Sequence, residues 1–249
     1  MKRGWQVLLV GLALFATGGA QAEKSKFLVS INGSAPMHVK SVKGGHKKLS
    51  LEIDRNGADP VWSWVEASLI QTGQETNVVL PEGDKWVELG GSVVTSVSFP
   101  ALDTSSSAEL VLSVTFQAKK TAPASQLKGT FKKEVQKRWL PANFRLKLGD
   151  LPTGRVKKVD ALTWSMKVQE MKTKKPSVSP LRITFDAKDA SAWSAWLSDK
   201  KAKSGNLQLT EDDGSVWRTI QLDGVTPKSV QTTGDVSVAT LAVKSLKLQ

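Results

Sequence analysis

Leu49-Ser-Leu-Glu-Ile-Asp-Arg-Asn-Gly-Ala-Asp-Pro-Val-Trp-Ser-Trp-Val65 is the stretch that decides how this 249-residue chain reads. Leu49, Leu51 and Ile53 alternate with polar residues, the period of a half-buried strand. Asn56-Gly57 marks a turn. Asp59 is an N-cap, and Pro60 takes the first helical position, where its missing N–H is no loss. Val61, Trp64, Val65 and Leu69 then recur at i, i+3, i+4 and i+8, one stripe of a short helix.

The same block returns 132 positions on. Leu181, Ile183 and Phe185 stand opposite Leu49, Leu51 and Ile53. Trp193, Trp196 and Leu197 stand opposite Val61, Trp64 and Val65. Gly83 and Trp86 match Gly214 and Trp217, Val93 matches Val225, and Val114-Thr-Phe-Gln117 matches Leu246-Lys-Leu-Gln249. The chain therefore reads as two copies of one module. Phe27–Ile31 opens the first copy and Phe144–Leu148 the second, at a shorter offset. The second copy thus carries extra residues, Val159–Pro180, expected to form a longer hairpin or loop. Asp-Gly at 213–214, between two alternating runs, is a hairpin signal.

The expected organisation is a signal peptide at 1–22, a β module at 23–118, a basic linker at 119–139 and a second β module at 140–249. Lys2 and Arg3 precede the apolar Val7–Ala16, and Ala20-Gln-Ala22 is a small-residue cleavage site. Cleavage after Ala22 and a periplasmic or secreted location follow as expectations, with no transmembrane segment once the signal is removed. The chain has no cysteine. That removes disulfides, Cys-ligated metals and a lipid-modified Cys anchor. Leu127, Phe131 and Val135, spaced by four, predict a short basic helix in the linker. Each module is expected to be an antiparallel β-sandwich or partly open barrel of about six strands with one short helix, so the fold class is mainly β.

The net charge is +12. The positive residues cluster, as at Lys119–Arg138, Lys172–Lys175 and Lys200–Lys203. Solvated loops that keep the protein soluble are the favoured reading of these clusters, and attraction to an anionic polymer is the sharper alternative. Tyr is absent, and aromatic residues are not interleaved with the basic ones, so nucleic-acid binding is disfavoured. Trp62 lies two residues from Trp64 and points away from the helix's inner stripe. With Lys172, Lys174 and Lys175 it forms the candidate interaction surface.

No catalytic pattern is legible. His38 and His46 lack a metal-binding spacing, Gly149–Gly154 is followed by Arg155-Val156 where a P-loop needs Lys-Ser/Thr, and no G-x-S-x-G elbow occurs. Glu211-Asp212-Asp213 reads as a turn. No cofactor or metal is expected, and the chain is read as non-enzymatic.

Four passages in order carry a family resemblance. They are Phe27-Leu-Val-Ser-Ile-Asn-Gly33, the Leu49–Val65 strand and helix, the Leu209–Leu222 hairpin with Trp217-Arg218, and the terminal Ser245-Leu-Lys-Leu248. Together they resemble the tail tube proteins of contractile phages and the related tubes of injection machines. The resemblance implies a β-sandwich or barrel with a flanking helix, whose sheet joins its neighbours around a ring. Tubes of this family stack as hexamers, and a tandem chain would close a comparable ring as a trimer. The leading expectation is thus an exported, ring-forming structural or assembly protein. The alternative is a periplasmic binding module for an anionic glycan, lipid or wall polymer.

Overall fold

The structure, a computed structural model, describes residues 28–55, 59–125, 127, 139–169, 172–173 and 175–249. The signal sequence, Phe27, the Asn56-Gly57 turn, Lys174 and the expected helix through Phe131 and Val135 lie outside the described residues. In the first half the strands are β1 (Leu28–Ile31), β2 (Met37–His38), β3 (Ser41–Gly45), β4 (Lys48–Ile53), β5 (Glu75–Glu82), β6 (Lys85–Phe99), β7 (Leu102–Asp103), β8 (Leu112–Gln117) and β9 (Lys120–Ala124). In the second half they are β10 (Phe144–Leu148), β11 (Val156–Val159), β12 (Leu162–Ser165), β13 (Val168–Gln169), β14 (Lys172–Thr173), β15 (Ser177–Val178), β16 (Leu181–Asp186), β17 (Lys203–Thr210), β18 (Val216–Thr233), β19 (Val236–Ala242) and β20 (Ser245–Leu248). Helix α1 spans Asp59–Ile70 and α2 spans Ala190–Asp199.

The fold is mainly β, with two antiparallel sheets, one bent nearly into a barrel. The first sheet runs β2-β1-β5-β6-β8-β4-β3, and the second β10-β17-β18-β19-β16-β11-β7. From β1 and from β10 onward the chain makes its pairings in the same order. β9 and β20 extend that parallel, each lying on its half's long strand. The match of Val114–Gln117 with Leu246–Gln249 does not carry into this order. Phe116 pairs across from Leu49, and Leu241 pairs across from Leu181, so β19, not β20, holds the place beside β16 that β8 holds beside β4. The reason is a length difference: residues 100–111 join β6 to β8, whereas only Gly234-Asp235 joins β18 to β19.

Alternation places the core. Leu49, Leu51 and Ile53 on β4, and Leu181, Ile183 and Phe185 on β16, are all buried. The long strands β6 and β18 bend at register shifts, Val94/Ser96 and Pro227/Ser229. A bulge raises local twist, and it accommodates Pro227, which has no N–H to give a ladder. Gly205 sits where β17 crosses β10 so closely that a Cβ would lie 2.2 Å from the Lys147 carbonyl oxygen. Lys120–Ala124, expected to open the linker, is a strand paired along β6 from Trp86 to Gly90.

The two halves are not separate bodies joined by a tether. Within the extra segment of the second half, β12 leaves its own sheet and pairs with β6, Leu162 opposite Phe99 through Ser165 opposite Ser96. In return β7 pairs with β11, Asp103 opposite Lys158. The expected long hairpin is present, and it reaches into the other half.

The helices differ in how they are covered. α2 buries Trp193 and Trp196. Trp193 stacks on Phe185 with ring centres 4.6 Å apart, and the Trp196 indole N–H donates to the Lys201 carbonyl at 2.7 Å. α1 buries Val61, Trp62, Trp64, Val65 and Ser68, which is more than one stripe. It is held between the first sheet and β20. Asp186 starts the helical turn before α2, accepting from the Lys188 backbone N–H at 3.0 Å. That bond, helped by Lys157, Lys188 and Arg155, holds the Asp186 carboxyl below its ordinary value.

Trp64→Ala and Trp196→Ala are each expected to lower stability by about 3–5 kcal/mol in urea unfolding. A silent substitution would mean that one helix does not seat its tryptophan in a core. Because folding depresses the Asp186 pKa, its contribution is complete above the unfolded carboxylate range and disappears as pH falls through the lower folded value. Asp186→Asn is therefore expected to lower the melting temperature at neutral pH and to flatten its fall in acid; parallel curves for the two proteins would refute this.

Candidate functional site

Trp62, expected on an exposed face, is buried at 3% exposure. Its direction away from the Trp64 stripe was legible, but the second half of the chain covers it. Trp62 meets Trp139 edge-on at 6.2 Å and Trp217 at 5.5 Å, and Trp139 meets Trp217 at 5.5 Å. Phe99 closes the cluster 6.1 Å from Trp62. Two guanidiniums cap it. Arg55 lies 4.7 Å over the Trp217 ring, and Arg218 lies 5.6 Å from the same ring. Arg218 donates to Asp59 at 2.8 Å, and Arg55 pairs with Glu211. Burial pulls the Arg55 guanidinium below its ordinary value; Asp59 opposes that shift and Arg218 adds to it. The surface expected to bind a partner is thus the joint between the halves, with Arg55, Asp59 and α1 on one side and Glu211, Trp217 and Arg218 on the other.

The lysine part of the expected surface lies elsewhere. Lys172 pairs through its backbone with Gln169 in the small β13–β14 hairpin, and Lys175 is exposed just beyond it. The structure does not bring these lysines to Trp62. Glu211-Asp-Asp213 is a turn, as expected: Gly214, with φ +80°, donates to the Glu211 carbonyl at 2.9 Å, and Asp213 accepts from the Ser215 N–H. His46 pairs with Glu82 at 2.8 Å. No group of three metal-ligating side chains occurs among the described residues.

What sequence reading missed is the outer face of the first sheet. Lys43, Ser50, Thr115, Ser96, Ser165 and Ser177 stand side by side on β3, β4, β8, β6, β12 and β15. The next row is Ser41, Glu52, Ser113, Ser98 and Thr163. Neighbouring hydroxyls bond to one another, Ser50 to Thr115 at 2.7 Å, Ser98 to Thr163 at 3.2 Å and Ser165 to Ser177 at 3.1 Å. Ser41 and Lys43 both donate to Glu52, and with Lys43 the larger influence they lower its pKa, so the one acid in the two rows stays ionised and neutralised. Beside the first row a polar groove of about 610 Å³ opens. Ser50, Ser96 and Thr115 form part of its lining, with Lys48 and Gln117 from one half and Met166, Lys167 and Val168 from the other. The Ser/Thr alternation is visible in each strand alone. Its alignment into rows is not, because that depends on which strand lies beside which.

No protein-family model matches the chain, and no curated protein matches it.

A double-mutant cycle on Trp62→Ala and Trp217→Ala is expected to give a coupling of about 0.5–1.5 kcal/mol, the range for edge-on aromatic pairs. Additive losses would show that the two rings do not hold the halves together.

Proposed function

We propose that the chain is an exported, non-enzymatic structural or assembly protein, built as a tandem of two tail-tube-like modules, that associates with its own copies through sheet edges. One observation carries this reading. β6 is paired on both sides along Ser96–Ser98, because β12 fills the side that β5 leaves at Val93 while β8 holds the other. β18 holds the corresponding place in the second sheet. There β17 ends at Val225, and along Thr226–Thr233 that side has no partner strand among the described residues. β3 likewise pairs only with β4, whereas its counterpart β11 pairs on both sides. The internal joint therefore uses one edge of each half, and the matching edges have no partner strand among the described residues. Open edges recruit strands, and two different edges meeting head to tail generate a ring when the rotation closes. The shared strand order supports the tandem reading, and the basic, apolar and small-residue order of the first 22 residues supports export.

Light scattering on the chain from residue 23, across concentration and salt, is expected to give discrete trimers or hexamers. Gln231→Lys with Thr233→Lys, both on exposed positions of the open edge, is expected to shift the protein to monomer without lowering its melting temperature. A wild-type protein that stays monomeric throughout overturns the proposal.

A further inference from the structure

We propose that the groove on the outer face of the first sheet binds an acidic oligosaccharide chain. The hydroxyl rows offer donors and acceptors that step across strands at about 4.8 Å, close to the length of one pyranose unit. A sugar chain laid across the strands thus meets a hydroxyl at each ring. Met166 and Val168 add a short apolar wall against which the C–H face of a sugar can rest.

Charge selects the acidic kind. Lys48 and Lys167 line the groove, and neither forms an ion pair with a described residue. Among the described residues no Asp or Glu lines it, and the two lysines give it a positive potential. The described lining residues also include no aromatic ring. A neutral sugar would depend on stacking that is absent here, whereas a uronate gains from both lysines. A compact phosphate fits poorly, since the groove is a trough without an arginine fork. The site is shared, with Lys48, Ser50, Ser96, Thr115 and Gln117 from one half and Ser165–Val168 from the other. It exists only once β12 has paired with β6.

Titration calorimetry with hexagalacturonate tests this, with cellohexaose and inorganic polyphosphate as controls. Hexagalacturonate is expected to bind, with affinity falling as salt rises, and cellohexaose to show no binding. Lys48→Glu with Lys167→Glu, at exposed positions, is expected to weaken hexagalacturonate roughly tenfold or more. Ser96→Phe, which obstructs the trough without changing charge, is expected to do the same. Circular dichroism and melting establish that each variant is folded. Three results would each overturn the proposal: no binding of hexagalacturonate, undiminished binding by the folded double-lysine variant, or polyphosphate binding as tightly and surviving Ser96→Phe. The inference does not rest on self-association, and light scattering on the same samples reads that separately.

Discussion

A strand edge is a row of backbone donors and acceptors that must be paired or left in water, and that requirement at Ser96–Phe99 organises this molecule. The partner is Leu162–Ser165, contributed by the other half of the sequence. Once β12 is committed there, β11 is drawn beside β7, and Val178 follows into place opposite Trp164. Trp164, on β12, is buried in consequence. The backbone ladder sets the position of one half against the other, and side chains then fill the space that remains.

That space is closed by the aromatic and arginine cluster. Burial of Trp62, Trp139 and part of Trp217 supplies a non-directional driving force, while the edge-on ring contacts and the two guanidiniums add direction. Arg55 and Arg218 reach across the joint from opposite sides, each to a carboxylate of the other half. Their positive charge is balanced within the joint, which makes this surface a poor docking site for an anion. Lys48 and Lys167 in the groove, with no ion pair among the described residues, are in the opposite condition.

Much of the local structure was legible in the sequence because it depends on neighbours in the chain. Leu49, Leu51 and Ile53 gave away a strand, Val61 and Trp64 a helix, and Asp213-Gly214 a hairpin. Period-two alternation says which face a residue takes, but it does not name the adjacent strand. For that reason the pairing of β12 with β6, the cover over Trp62 and the hydroxyl rows were all out of reach. Lys120–Ala124 was misread for a related reason. Pro123 argues against a central strand, yet among the described residues β9 pairs with β6 alone, and proline is tolerated at such an edge. The match of Val114–Gln117 with Leu246–Gln249 is not followed by the strand order, because residues 100–111 separate β6 from β8 whereas only Gly234-Asp235 separates β18 from β19.

The interleaving of the halves has a cost in time. A ribosome delivers Ser96–Phe99 about sixty residues before Leu162–Ser165, an interval of roughly 3–12 s at ordinary rates of synthesis. A first half that folded on delivery would carry β6 bordered on one side there, and Trp62 would wait longer still for Trp217. An apolar edge held open for seconds is the kind that captures strands from other chains. Here the residues pointing outward on that edge are Ser96 and Ser98, small and polar. The same hydroxyls that later line the finished surface keep the unfinished one from becoming adhesive.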